Sequence, residues 1–409
     1  MWAITRWATI LVMTEISAPS AAPAPRVALA SVRDMLHRRD PVGVLTVYVD
    51  GRQAATPSHP AVREVRAELD KLVKATAKSH GKASGRHAAA ARREVVGALD
   101  DPTGGSFVLF AGLGDGTSHR QPLLSTGASR TSLGPRPDVR QMCRALHMAR
   151  PVGVAMLDGK GIRVLEWPGE LDVVWADALP ELEEPDLVGP AHGHVRDLPG
   201  AAPGFTVSQQ RDLFERRMES EYERLLTRAG RRVSELVAER AWDELVVAGS
   251  GEWPGVLVSA LASRVPDVIL LPHLERWRSP GQLAREIGPV AAARRELREA
   301  SLVQGLRDEA RLGSVGLAPV LEALREARVE TLLLPEERVL RGLSSADATV
   351  LAESGALPLG IDPGEVVEDE MLADAMIARA VDTGADVVVL SGAGVAALGE
   401  LEAAAILRW

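Results

Sequence analysis

The period of hydrophobic positions changes repeatedly along the chain, and each change predicts a new element. Val44 to Val49 is apolar apart from Thr46, and Asp50-Gly51 closes it, which predicts a strand and a turn. Two helical stretches follow, at about 59–79 and 86–100. Ser106 to Phe110 predicts a buried strand ended by a Gly-rich turn, and 137–149 a helix that Pro151 stops. From Gly153 the pattern reads strand, tight turn, strand: Val154 to Leu157, Asp158 to Gly161, then Ile162 to Leu165. Val173 to Trp175 adds a third strand. Residues 180–206 are rich in Pro, Gly and acids and have no period, so they read as a long loop.

A long helix is expected over about 207–240. Leu213, Phe214, Met218, Leu225, Leu226, Ala229, Val233, Leu236 and Val237 recur on one face, and Arg and Glu alternate on the other. Strand 244–248, helix 254–263 and strand 268–271 complete a mixed α/β domain. Residues 281–312 read as helical. Helix 318–327, strand 331–334, helix 370–384, strand 386–390 and a closing strand near 403–407 make a small alternating unit. The fold class expected is α/β in three domains, each mixed α/β. The central domain carries the long loop and long helix, and the C-terminal one is a small α/β sandwich. The boundaries are a disordered leader at 1–26, a basic N-terminal α/β domain at 27–150, a central domain at 151–280, and an acidic C-terminal α/β domain with its connecting helix at 281–409. A Ser/Ala/Pro-rich stretch at about 14–26 marks the leader. Met13-Thr-Glu-Ile16 resembles a bacterial start, which would leave residues 1–12 upstream of it.

Charge sharpens this picture. The net charge is −9, yet residues 1–150 hold 21 Lys/Arg against 12 Asp/Glu, while 330–409 hold 4 against 15. A basic N-terminal third can approach a phosphate backbone, and the acidic end more naturally meets protein. Cys143 is the only cysteine, so no disulfide framework or cysteine-based zinc site can form within the chain; that suits a reducing, cytoplasmic setting. No apolar run approaches the roughly 20 residues of a spanning helix, so no membrane partner is expected.

Chemical motifs are sparse. Three Gly-rich turns follow strands: Gly112-Leu-Gly114-Asp-Gly116, Gly249-Ser-Gly251 and Gly392-Ala-Gly394. A dinucleotide site needs a third glycine and a downstream ribose-binding acid, and none of the three supplies both; they read as strand-end turns. His192-Gly-His194 sets two imidazoles close together without the carboxylate or cysteine spacing of a metal site, so no metal and no cofactor are expected. A small-molecule α/β enzyme is disfavoured because no acid/base constellation accompanies these turns. Thr206 and Gln209 have capping-box spacing, which explains those two residues but neither the length of the loop before them nor Gln210 and Arg211 after them.

The order of segments resembles a known family. A basic N-terminal domain precedes RPVGVAMLDGKGIRVLEWPGE at 150–170. The long loop, SQQR at 208–211 and the Arg/Glu helix follow. GLAPVLEALREARVETLLL at 316–334 and AAAILRW at 403–409 frame the last domain. From about residue 40 onward this resembles the bacterial branch of the eukaryotic and archaeal release factor and Pelota superfamily. The resemblance implies a ribosome- and tRNA-binding translation factor. Relatives place the central domain near the peptidyl-transferase centre and the N-terminal domain near the decoding site. True release factors carry Gly-Gly-Gln on the central loop; this sequence has none, and Val207-Ser208 stand where the glycines would be. A β-branched residue does not readily take positive φ. The function expected is therefore occupation of the ribosomal A site under stress or stalling, of the hibernation type. Peptidyl-tRNA hydrolysis in ribosome rescue is the alternative, with Gln209 and Gln210 as its catalytic candidates. The expected RNA-binding residues are His192, His194, Ser208, Gln209, Gln210 and Arg211 at the central loop, with Lys71, Lys74 and Lys78 on the N-terminal helices. The acidic C-terminal domain is the candidate dock for a protein, an elongation factor among the possibilities.

Overall fold

The computed structural model describes residues 33–56, 58–101, 105–124, 126–158, 160–167, 172–179, 207–261, 267–271, 280–308 and 313–409. Contacts divide the chain into two compact units. The smaller is built from Gly153–Glu166 and Asp172–Arg276; the larger from Ala24–Val152, Trp167–Leu171 and Trp277–Trp409. No helix among the described residues is long and apolar enough to cross a membrane.

The chain enters the larger unit through α1 (Arg33–Leu36), β1 (Val44–Val49), α2 (Gly51–Ala54) and α3 (Pro60–Leu99). Strands β2 (Ser106–Gly112), β3 (Ser118–Leu123) and β4 (Arg130–Gly134) follow, then α4 (Arg140–Met148). The four strands form one antiparallel sheet in the order β3-β2-β1-β4. Every residue of β1 is buried, and its period-2 alternation serves two cores. Leu45, Val47 and Val49 face α3; Val44 and Tyr48 face the opposite side. Strands β3 and β4 escape the sequence pattern because they lie at the sheet edges and mix polar with apolar residues without a buried run.

The smaller unit is a five-stranded sheet in the order β7-β6-β5-β8-β9. Its strands are β5 (Val152–Asp158), β6 (Gly161–Trp167), β7 (Asp172–Ala178), β8 (Leu245–Ala248) and β9 (Val268–Leu271). β5, β8 and β9 run parallel, and β7 pairs antiparallel with β6. Helices α5 (Val207–Arg240) and α6 (Trp253–Ala260) cover one face. Leu225, Leu226, Ala229, Val233, Leu236 and Val237 of α5 pack on Ala155, Leu157, Ile162 and Val164. The bounds of α5 are those the periodicity predicts. Trp242 is buried just past its end, and its indole N–H donates to Glu166 at 2.7 Å.

The chain then returns to the larger unit through α7 (Pro280–Asp308), β10 (Gly313–Val315), α8 (Leu317–Arg325) and β11 (Val329–Pro335). A three-stranded antiparallel sheet, β13-β12-β14, is inserted next; its strands are β12 (Gly342–Ser345), β13 (Leu351–Ala352) and β14 (Val366–Asp369). α9 (Leu372–Asp382), β15 (Asp386–Leu390), α10 (Gly392–Leu398) and β16 (Ala404–Leu407) complete a sheet in the order β10-β16-β11-β15. The inserted sheet escapes the periodicity because its strands have two to four residues. The sequence reads Gly392 to Gly394 as a turn, yet those residues open α10 directly after Ser391.

Residues from both ends of the sequence share one core here. Val44, Tyr48, Phe110 and Met142 pack in the same cluster as Leu332, Met376 and Val389. Polar side chains fix the register of the joint. Arg136, 1% exposed, reaches Asp369 at 3.1 Å and donates to the Ser345 carbonyl at 2.8 Å. Arg144 donates to the Val389 carbonyl at 2.9 Å and pairs with Glu299 of α7. Asp374 of α9 accepts the Val139 amide N–H at 2.8 Å at the start of α4. Burial first, and the Asp138 carboxylate second, push the Asp374 carboxyl up to about 7, against the pull of Arg140 and the Val139 amide.

A raised folded-state pKa means that folding holds a proton which the unfolded chain releases near pH 4. The contribution of Asp374 is therefore complete below its unfolded value and is lost as pH rises through 7. We expect the melting temperature of Asp374→Asn, which keeps an acceptor for Val139, to fall less than that of wild type between pH 6 and pH 8. Parallel melting curves for the two proteins would contradict this.

Candidate nucleic-acid interface

Residues 60–99 are too tightly cross-linked to be one straight helix. At 1.5 Å per residue, Asp70 and Arg92 of such a helix would lie about 33 Å apart, yet they form an ion pair. Arg66 also reaches Asp100, at 2.6 Å. Gly81 breaks the helix with φ +84 and ψ 179, so α3 is two antiparallel legs joined at that residue. Two helices at about 59–79 and 86–100 are what the sequence predicts; their antiparallel pairing comes from the structure. His59 accepts the Ala61 amide N–H at the start, and Pro60 occupies the first helical position.

The legs differ along their length. Near the sheet, Val62, Val65, Leu69, Ala88, Ala91, Val95 and Leu99 are buried against β1 and β2. Toward the turn the buried residues are small: Thr76, Ser84 and Gly85. A side chain at Gly85 would meet the Ala77 Cβ at 2.6 Å, so its absence lets the legs close. From Lys71 to Arg93 the sequence has seven Lys/Arg and no acid, and four of the chain's five lysines fall here. Lys71, Lys74, Lys78, Lys82 and Arg86 are exposed. With no acid within the run to neutralise it, this end of the hairpin is a dense positive surface on a rigid base. The sequence pattern singles out Lys71, Lys74 and Lys78 but not Lys82 and Arg86. The uninterrupted acid-free run, which needs no structure, could have found them.

The central-loop candidates divide. Ser208, Gln209, Gln210 and Arg211 follow Val207 at the start of α5, and of their backbone amides those of Ser208 and Gln209 precede the first intrahelical bonds. His192, His194 and Thr206 lie outside the described residues. The turn Gly112 to Gly116 has a definite occupant. Asp40, 5% exposed, accepts amide N–H groups from Val42 and Gly43 at 2.8 and 3.0 Å and from Gly114 at 2.9 Å. A carboxylate of the chain itself fills the nest that a phosphate would need. Among the described residues no three His, Cys, Asp or Glu side chains gather as a metal site would require.

Residues 137–288, just over a third of the chain, match the model of a family described as bacterial archaeo-eukaryotic release factor family 10. That stretch spans all of the described part of the smaller unit, including α5. No curated protein matches the chain. Among solved structures, an archaeal translation termination factor is 15% identical over 95% of this chain and 99% of its own, with a TM-score of 0.23. Archaeal Pelota, in a model of ribosome-bound Pelota with ABCE1, is 18% identical over 72% of each chain, with a TM-score of 0.35. Dom34 of S. cerevisiae, a translation termination-like factor involved in RNA quality control pathways, is 9% identical over 76% of this chain and 75% of its own, at 0.36.

Gly85→Val should wedge the hairpin legs apart at Ala77. We expect a loss of about 1–3 kcal/mol in stability and faster hydrogen exchange over 71–93. Unchanged exchange would show that the close crossing is dispensable.

Proposed function

We propose that this chain is a ribosome-binding translation factor that occupies the A site when translation is stressed or stalled. The observation that supports it most is the family match over 137–288, which takes in the described smaller unit with its long helix. The acid-free basic end of α3 supports it independently, since phosphate backbones bind such surfaces in a salt-dependent way. In this reading Lys71, Lys74 and Lys78 supply part of the electrostatic affinity. Ser208, Gln209, Gln210 and Arg211 at the start of α5 meet the tRNA or ribosomal RNA, and His192 and His194 are proposed to bind the same RNA. The acidic C-terminal segment is the surface offered to a protein, an elongation factor being the partner proposed.

Hydrolysis of peptidyl-tRNA is the competing reading, because two glutamines open α5 without the glycines of a release factor. Replacing Gln209 and Gln210 with Ala separates the two. For an occupying factor, co-sedimentation with bacterial ribosomes stays within about twofold of wild type, and neither protein releases labelled peptide from peptidyl-tRNA. Release by wild type that the double variant loses would make the chain a hydrolase.

Reversing Lys71, Lys74 and Lys78 to Glu should weaken ribosome binding by at least about tenfold at low salt and flatten its salt dependence by roughly one unit of slope per lost contact. Binding curves that superimpose on those of wild type would remove the hairpin from the RNA footprint.

A further inference from the structure

The exposed face of α5 carries a regular pattern that the central-loop candidates do not include. Arg217, Arg224 and Arg231 recur every seven residues, and Ser220, Thr227 and Ser234 recur at the same interval between them. Seven residues are nearly two helical turns, so both sets fall on one side of the helix. That side is opposite the buried stripe Leu225, Leu226, Ala229, Val233 and Leu236. Arg216 flanks the row. Arg216, Arg217, Arg224, Thr227 and Arg231 are exposed.

The partners of these arginines set the row apart from an ordinary solvated helix face. Beside it the charges of α5 are paired: Arg228 with Asp177 at 3.2 Å, and Arg232 with Glu235 and Glu239 at 3.1 and 3.0 Å. Arg216, Arg217 and Arg231 make no ion pair among the described residues, and Arg224 holds only the flanking Glu221. The Arg224 side chain is 67% exposed in that pair, so solvent screening leaves it free to exchange partners. Glu219 and Glu223 sit to one side of the row. Glu235, the acid that enters its far end, is already engaged by Arg232.

We propose that this row is an RNA-backbone contact, separate from the hairpin of α3 and from the start of α5. The inference rests on the reading that the chain binds the ribosome or tRNA. Arginine is the side chain that most often meets phosphate oxygens. On the row, the Thr227 and Ser234 hydroxyls donate to the Glu223 and Gly230 carbonyls of the helix at 2.9 and 2.7 Å and so face the ligand as acceptors, suited to a ribose hydroxyl. Its rungs are about 10.5 Å apart, a spacing at which successive arginines meet different phosphates of one duplex strand. The row runs back along the helix from the start of α5. An RNA stem whose end lies there would follow it.

The test uses the full chain, with deacylated tRNA as the probe in fluorescence anisotropy between about 50 and 200 mM salt, and bacterial ribosomes in co-sedimentation. Three proteins join wild type: Arg217, Arg224 and Arg231 together changed to Gln, the same three changed to Lys, and Glu219→Gln with Glu223→Gln. The Gln triple is expected to bind tRNA about tenfold or more weakly at low salt, with the salt slope reduced by about two to three. The Lys triple should keep the slope and stay within about threefold of wild type, and the flank variant should bind as tightly or more tightly. Equal affinity and slope for wild type and the Gln triple would overturn the inference while leaving ribosome binding intact. A Gln triple that loses ribosomes but keeps both its tRNA curve and its binding to protein-free ribosomal RNA would also overturn it, and would assign the row to a ribosomal protein. If wild type binds neither probe, the functional reading fails and the inference fails with it.

Discussion

Strand β1 is the element on which the larger unit depends. It is buried along its whole length, so both of its faces must pack. Its alternation gives Leu45, Val47 and Val49 to one core and Val44 and Tyr48 to the other. The first core seats the legs of the α3 hairpin. The second is shared with residues from the far end of the sequence. A single buried strand thus couples the basic hairpin mechanically to a C-terminal layer more than two hundred residues away. The buried Arg136–Asp369 pair on that joint adds direction more than stability, since burying charges costs much of what their attraction returns.

The charge distribution follows the same division. The base of the hairpin is apolar and fixed, while its turn end is cationic, acid-free and built around small residues that let two helices touch. A rigid base reduces the entropy lost on binding, and a dense cationic end draws in polyanions over a Debye length of about 8–10 Å. On α5 the arginine row has the opposite construction, with positive groups spread along one helix and acids set to the flanks.

Much of the fold is legible in the sequence because long periodic segments declare themselves. The bounds of α5, the buried strands β1, β2, β8 and β15, the half-buried β9 and the two legs of α3 follow from hydrophobic spacing alone. The inserted sheet β13-β12-β14 does not, since its strands are too short to display a period. The shared core is hidden for another reason. Tyr48 and Met376 meet through long-range packing, and nothing local marks them as neighbours. Lysines 71, 74 and 78 can be nominated from composition, but the antiparallel closure at Gly85 requires geometry. The turn at Gly112 to Gly116 resembles an anion nest in sequence, and only the structure reveals that Asp40 occupies it.

The most direct measurement uses the buried state of the only cysteine. Cys143 is shielded, and burial drives its thiol far above the usual range, so Lys82→Cys at the hairpin end can be labelled selectively with a photo-crosslinker. Irradiation on bacterial ribosomes with a vacant A site should yield cross-links to small-subunit ribosomal RNA around that site, and prior occupation by tRNA should suppress them. Cross-links that are absent, or that persist unchanged when the A site is filled, would contradict the account.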